Sequence, residues 1–133
     1  MPASEPRLHR AHTESMFYTH GIQKAGNPAW ALGLEIVREV YREDRKSFKL
    51  DLRIGEMYQI ELFSFPDPPE RVSSPEACGL RHIAFEVDDI GDAVQELVAK
   101  GLEVEPIRVD EHTNKRYTFF QDPDNLPIEI YEK

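Results

Sequence analysis

The chain has 133 residues and a formal net charge of −9, with 25 acidic side chains against 16 basic ones. This length predicts one domain, and the negative charge argues against nucleic acid and anionic membranes as partners. Because the single cysteine, Cys78, cannot form an internal disulfide and no apolar run reaches transmembrane length, we expect a cytoplasmic protein.

The first third of the chain begins with weak structural signals. Residues 1–11 are polar and contain two prolines, which predicts a loose tail, and residues 12–20 show a weak strand pattern. Asn27 followed by Pro28 predicts a short turn of helix that ends at Gly33.

From Leu34 onward the pattern is typical of β-strands joined by turns. The predicted strands cover residues 34–41, 47–54 and 57–65. A proline-rich loop follows at residues 66–78, and a loop of this length is often a linker or an active-site lid.

Residues 79–90 predict a strand that leads directly into a helix. Ile83, Phe85 and Val87 fall on one side of the strand by the two-residue period, and His82 falls on the other side. The apolar side predicts contact with a core, so the imidazole is expected on the opposite face.

The rest of the chain predicts one helix and three more strands. Asp89 is the predicted N-cap of the helix, and Gly101 is expected to end it. The predicted strands cover residues 102–109, 115–121 and 126–132, and Pro106 places the first of them near a sheet edge.

Two motifs repeat at one common offset. LGLEI at residues 32–36 matches KGLEV at 100–104, and IELF at 60–63 matches IEIY at 128–131. Position 33 corresponds to position 101 and position 61 to position 129, an offset of 68 residues in both cases. The repeat predicts an α+β fold of two β-α-β-β-β modules, in which residues 32–65 and 100–133 superpose.

The repeat also brings ionisable side chains to corresponding positions. Glu61 and Glu129 both lie in mid-strand, opposite the core residues; if the modules join into one curved sheet, both share its concave side with His82. Such groups must pair, neutralise or bind a cation, and two carboxylates with an imidazole are suitable ligands for a divalent metal. The offset aligns His82 with Glu14, and a two-residue insertion aligns it with His12 instead, so either could be a fourth ligand.

Several of these stretches resemble the vicinal oxygen chelate superfamily, which includes glyoxalase I, extradiol dioxygenases and the fosfomycin- and bleomycin-resistance proteins. The nearest resemblance is to a small bacterial glyoxalase-like branch. The matching stretches are GLRHIAF at 79–85, QIELF at 59–63, FQDPDN at 120–125 and IEIY at 128–131.

The resemblance implies a single glyoxalase-like domain over residues 1–133, with modules at roughly 12–65 and 79–133 joined by the loop at 66–78. In this family the modules form a cupped mixed sheet around a metal. The implied ligands are His82, Glu61, Glu129 and a first-strand histidine, here His12. The resemblance also implies a homodimer, because family members often complete the cup across two chains.

The implied activity is that of a metal-dependent lyase or isomerase similar to lactoylglutathione lyase. A divalent ion (Ni, Zn, Mn or Fe) would chelate neighbouring oxygens of a small α-hydroxycarbonyl or thiohemiacetal-like substrate. It would stabilise an enediolate while Glu129 or Glu61 moves the proton.

Two alternatives remain open on the sequence. One is an extradiol dioxygenase, although Glu61 would fill a coordination position that such an enzyme keeps open for oxygen. The other is a binding protein that holds a drug or metabolite without turnover. Its pocket would be lined by aromatic residues, for which the candidates are Phe63, Phe65, Phe120 and Tyr131.

The identity of the first-module ligand can be tested by substitution. Residues 12–31 depart from the family pattern of two histidines before an apolar strand, so His12 and Glu14 are both candidates. The variants His12→Ala and Glu14→Ala distinguish them. If His12 is the fourth ligand, His12→Ala should weaken metal binding strongly and Glu14→Ala should not. Metal content after equilibrium dialysis measures the difference, and an unchanged content in both variants would show that this segment supplies no ligand.

Overall fold

The computed structural model of the chain describes residues 31–133. The predictions made for residues 1–30, including the roles of His12 and Glu14, lie outside the described residues. The chain divides into two compact units, and the boundary between Pro69 and Glu70 falls inside the proline-rich loop. Each unit contains one sheet.

The sheet of the first unit has three antiparallel strands in the order β1-β2-β3. A 3-10 turn over Glu43–Arg45 joins the first two strands. The strands are β1 (Glu35–Arg42), β2 (Ser47–Ile54) and β3 (Tyr58–Phe63). They lie within two residues of the predicted bounds, so the strand predictions for this part of the chain are confirmed.

One face of this sheet forms a small apolar core. Leu50 and Leu52 of β2 are buried, as the alternation in the sequence predicts. The apolar side chains packed against them are Leu34, Ile36, Phe48, Ile60 and Leu62. Because successive side chains of a strand point to opposite faces, the polar residues of β2 and β3 share the other face.

A β-bulge in β1 changes the face on which one basic side chain lies. The register shifts between Ile36 and Arg38, so that Arg38 stands opposite Asp51. Without the extra residue, Arg38 would pair with Leu50 and its guanidinium would lie on the core face. The bulge therefore places the cation beside a carboxylate.

The second unit folds as β-α-β-β-β, in agreement with the predicted module. Its mixed sheet has the order β4-β7-β6-β5, in which β4 runs parallel to β7 and the other pairs are antiparallel. The elements are β4 (Ile83–Val87), α1 (Ile90–Ala99), β5 (Arg108–Val109), β6 (Arg116–Gln121) and β7 (Pro127–Glu132).

The predicted helix ends are confirmed. The Asp89 side chain accepts a hydrogen bond from the backbone N–H of Asp92 at 3.0 Å, as an N-cap residue does. Gly101 follows the last turn with a φ of 84°, and the next N–H, of Leu102, bonds back to the carbonyl of Leu97 at 3.1 Å. No helix within residues 31–133 combines the length and apolar character needed to cross a membrane.

The strand predicted at residues 102–109 was too long, since only Arg108 and Val109 form regular strand. The preceding segment still runs along β6, because the N–H of Glu105 bonds to the carbonyl of Phe119 at 2.9 Å. Pro106 follows directly and has no N–H to donate, so the ladder is interrupted there.

The hairpins of the two units have the same register. In the first unit Asp51 stands opposite Glu61, and in the second Phe119 stands opposite Glu129. Adding 68 to both numbers of the first pair gives the second pair, so the repeat read from the sequence extends to backbone pairing. The relation of the two units by a pseudo-two-fold axis stays a prediction.

Two adjacent phenylalanines test which face of the second sheet is buried. Phe120 is 2% exposed, whereas Phe119 lies on the opposite face beside Glu129. Phe120→Ala should lower the free energy of unfolding by about 3–5 kcal/mol, and Phe119→Ala by only about 1 kcal/mol. Urea denaturation measures both losses, and equal losses would contradict the assigned faces.

Candidate functional site

The open face of the second unit's sheet contains a histidine–glutamate pair. We use "open face" for the face opposite the buried side chains of Phe85, Phe120, Ile128 and Ile130. Nε2 of His82 lies 3.1 Å from Oε2 of Glu129. The Glu129 side chain is 14% exposed and that of His82 is 42% exposed, so the carboxylate is shielded and the imidazole edge is accessible.

The sheet pairing explains why these two side chains meet. Glu129 of β7 stands opposite Ala84 of β4 in the parallel ladder. His82 precedes Ala84 by two residues and therefore points to the same face. The strands thus bring together two of the four predicted ligands although they are 47 residues apart in the chain.

The donor atoms of this pair fit a divalent transition metal. Imidazole nitrogen and carboxylate oxygen suit Zn, Ni, Mn and Fe. A separation of 3.1 Å between Nε2 and Oε2 matches two neighbouring ligands of an ion with bonds of about 2.1 Å. Within residues 31–133, neither unit by itself groups three or more His, Cys, Asp or Glu side chains around one point. A complete site therefore requires ligands in addition to this pair.

Glu61, the third predicted ligand, lies on the polar face of the first unit's sheet. Its Oε1 atom is 2.7 Å from Nζ of Lys49, and the same ammonium is 3.3 Å from Oδ1 of Asp51. The hydrogen bond to Glu61 is the main reason that the pKa of Lys49 is raised. Any metal bound by Glu61 must therefore compete with an ammonium group.

Asp51 is a buried carboxylate that the sequence analysis missed. It is 2% exposed although it lies on the polar face of β2. Arg38 covers it, because both Nε and a terminal guanidinium nitrogen donate to Oδ2 at 3.1 Å and 3.0 Å. The polar face of the first unit is therefore a charge cluster of Arg38, Asp51, Lys49 and Glu61.

The open face of the second unit is aromatic at the corresponding positions. The ring of Phe119 meets the imidazole of His82 edge to face, with centroids 5.3 Å apart. Tyr117 stands opposite Tyr131 in the ladder, and their rings stack at 6.3 Å with an interplanar angle of 17°. Aromatic rings beside the His82–Glu129 pair can cover an apolar or planar ligand.

One predicted lining residue was wrong. Phe120, expected in the aromatic lining, stands opposite Ile128 and is buried in the core. Phe119 occupies the position that the prediction gave to its neighbour. Tyr131 does lie on the open face, while Phe63 and Phe65 of the first unit are 39% and 40% exposed.

A hydrogen-bond network holds the loop between β5 and β6 against the open face. The Tyr131 hydroxyl donates to Oδ2 of Asp110 at 2.9 Å and also contacts the Thr113 hydroxyl. The backbone N–H of His112 donates to Oδ1 of Asp110 at 2.8 Å. These hydrogen bonds hold the pKa of Asp110 below its ordinary value. The bond from the His112 backbone has the largest effect, and that from Tyr131 has the next largest.

Arg71 fixes the backbone that leads into His82. One of its guanidinium nitrogens donates to the carbonyls of Leu80 and Arg81 at 2.9 Å and 3.0 Å. The same nitrogen is 3.3 Å from Oε2 of Glu76. The middle of the proline-rich loop is thereby tied to the two residues that precede His82.

The sequence that folds into these two units matches a known protein family. Residues 30–130 match the model of the Glyoxalase/Bleomycin resistance protein/Dioxygenase superfamily. The chain belongs to this superfamily, and the resemblance seen in the sequence motifs is confirmed.

The chain is also similar in sequence to other proteins and in fold to solved structures. The chain is 61% identical over 102 residues to the uncharacterized protein YwkD of Bacillus subtilis, covering 77% of this chain and 80% of YwkD. It is 45% identical to a glyoxalase family protein from Enterococcus faecalis, with a TM-score of 0.72 and coverage of 78% and 82% of the two chains. A lactoylglutathione lyase from Agrobacterium tumefaciens shares the fold at 19% identity and a TM-score of 0.56, covering 79% of each chain.

The network around Asp110 predicts a pH dependence of stability. Because folding lowers the pKa of this carboxyl below 3.8, its stabilising effect is present above about pH 4 and is lost as the pH falls through the folded value. Asp110→Asn should therefore be less stable than the wild type at pH 6, and the difference should shrink below pH 4. Urea denaturation across this range measures it, and a difference that does not change with pH would contradict the assignment.

Proposed function

We propose that the chain is a metal-dependent lyase or isomerase of the glyoxalase I type. Its substrate would be a small α-hydroxycarbonyl or thiohemiacetal-like compound. The observation that supports this most is the pairing of His82 with Glu129 on an aromatic sheet face, 3.1 Å apart. Membership of the superfamily also supports the proposal, because glyoxalases belong to it.

The proposed ligands of the metal are His82, Glu129, Glu61 and His12, with Glu14 as the alternative to His12. When bound, a divalent ion supplies Lewis-acid polarisation of two neighbouring substrate oxygens. The second unit by itself contributes two of these proposed ligands, His82 and Glu129. We propose a homodimer as well, which light scattering can test.

Glu129 is the proposed general base. Its carboxylate is shielded from bulk water, and Phe119 stands directly opposite on β6. A shielded carboxylate can take a proton from the carbon next to the substrate carbonyl and return it to the neighbouring carbon. Glu61 is the second candidate for this proton transfer, and its ion pair with Lys49 would have to loosen first.

The pair of variants Glu129→Gln and Glu61→Gln tests this chemistry. Glu129→Gln should lower turnover about 100-fold or more even when excess metal restores occupancy, because the amide cannot accept the proton. Glu61→Gln should show the same effect or a milder one. The measurement is solvent deuterium exchange into substrate or product by NMR, with metal content determined in parallel.

Glu86→Gln is the matched control, because Glu86 lies on the same face and stands opposite Tyr131 rather than beside His82. Its exchange rate and metal content should equal those of the wild type. If fully metallated Glu129→Gln and Glu61→Gln both exchange at the wild-type rate, the carboxylate-base mechanism is wrong.

A binding protein without turnover is the second candidate, and two observations favour it. The stacked rings of Tyr117 and Tyr131 offer a surface for a planar ligand, and the Lys49 ammonium already neutralises Glu61. Ligand binding that persists in chelator would support this candidate over the lyase. Oxygen consumption with catechol would instead indicate a dioxygenase.

A further inference from the structure

We propose that Arg108 binds a carboxylate group of the substrate, so that the substrate is a small anionic molecule. This inference rests on the proposed function, because it concerns the same open face. It assigns one end of the substrate to the His82–Glu129 pair and the other end to the guanidinium of Arg108.

Arg108 lies on the open face because it stands opposite Tyr117 in the pairing of β5 with β6. Its guanidinium carbon is 5.1 Å from the centre of the Tyr117 ring and 5.6 Å from that of Phe119. These contacts hold the guanidinium over two aromatic rings. A guanidinium has five N–H donors, and those that Glu105 does not use are available to a carboxylate.

Phe119 connects this cation to the metal-binding pair. Its ring centre is 5.3 Å from the imidazole centre of His82 and 5.6 Å from the guanidinium carbon of Arg108. The cation and the imidazole are therefore no farther apart than these two distances taken together. A molecule with a few carbons between its chelating oxygens and its carboxylate spans such a separation across the Phe119 ring.

The charges around Arg108 are compatible with an anionic ligand. A guanidinium nitrogen of Arg108 is 2.9 Å from Oε1 of Glu105, but about half of each side chain is exposed. Exposed ion pairs of this kind contribute little to the free energy of folding. The guanidinium also has five N–H donors, more than one carboxylate oxygen uses. The whole chain has a net charge of −9, which repels an anionic substrate. A cation fixed beside the site offsets this repulsion locally.

The experiment compares two hydroxamates that chelate through the same two neighbouring oxygens. The first, succinic acid monohydroxamate, has a carboxylate two methylenes from the chelating group. The second has a primary amide in place of that carboxylate, so it is neutral and of similar size. Calorimetric titration of the zinc-loaded protein should give a dissociation constant about ten-fold lower for the carboxylate, the gain from one charge-assisted hydrogen bond.

Substitutions then assign this preference to one residue. Arg108→Gln should remove the difference between the two hydroxamates and leave the affinity of the amide unchanged. Arg116→Gln is the control, because Arg116 alternates to the other face of the sheet and pairs with Glu132 at 2.6 Å. This control should keep the full preference for the carboxylate.

The outcomes separate this inference from the proposed function. If both hydroxamates bind equally well to the wild type, or if Arg108→Gln keeps the preference, Arg108 does not bind the carboxylate while metal-dependent chelation still holds. If neither hydroxamate binds to the zinc-loaded protein, the proposed function is wrong, and the role of Arg108 is wrong with it.

Discussion

Ile128 and Ile130 are both fully buried, and Glu129 lies between them on the opposite face of β7. Burying an aliphatic side chain of this size contributes about 1.5–3 kcal/mol. A slip of one residue in the pairing would expose both isoleucines and place a carboxylate in the core. The same apolar contacts that stabilise the second unit therefore hold Glu129 beside His82.

The two repeated hairpins have the same backbone pairing but different side chains on the corresponding face. Asp51 and Lys49 accompany Glu61 in the first unit, whereas Phe119 and Tyr117 occupy the corresponding places beside Glu129. This difference bears on the proposal that the two carboxylates are metal ligands. An ammonium must move away before the ion can bind, but an imidazole can exchange a proton for the metal at the same nitrogen. His82 with Glu129 is therefore the better starting point for a metal site.

Sequence reasoning predicted the features that depend on local pattern. Strand alternation placed His82 and Glu129 opposite the core residues, and residue preferences located the N-cap at Asp89 and the turn at Gly101. These features were predictable because each is decided within a few residues of chain. The shared 68-residue offset extended the prediction to equivalent pairing in the two hairpins.

The features that were missed depend on contacts between distant residues. Phe119 and Phe120 are chemically identical neighbours, and only the pairing of β6 with β7 decides which one faces Glu129. The side chain of Arg71 reaches carbonyls nine and ten residues away, a contact that no periodicity in the sequence indicates. Arg108 was overlooked for a similar reason, because its role depends on rings in another strand.

The turn between β6 and β7 sets the register on which the site depends. Oδ1 of Asp122 accepts hydrogen bonds from the N–H groups of Asp124 and Leu126 at 2.9 Å and 2.8 Å, and Asn125 adopts a φ of 67°. The side chain thus closes the turn from within, as short acidic residues do in Asx-type turns.

The first unit reaches the same register by a different turn. Between β2 and β3 the positive φ, 59°, belongs to Gly55 at the first position of the turn rather than the third. Ile54 stands opposite Tyr58 in the pairing of β2 with β3. By the repeat this pair corresponds to Asp122 and Leu126, where the N–H of Asp122 donates to the carbonyl of Leu126 at 2.9 Å. Turn length, rather than turn sequence, therefore keeps Glu61 and Glu129 at equivalent positions, although the side chains opposite them, Asp51 and Phe119, differ.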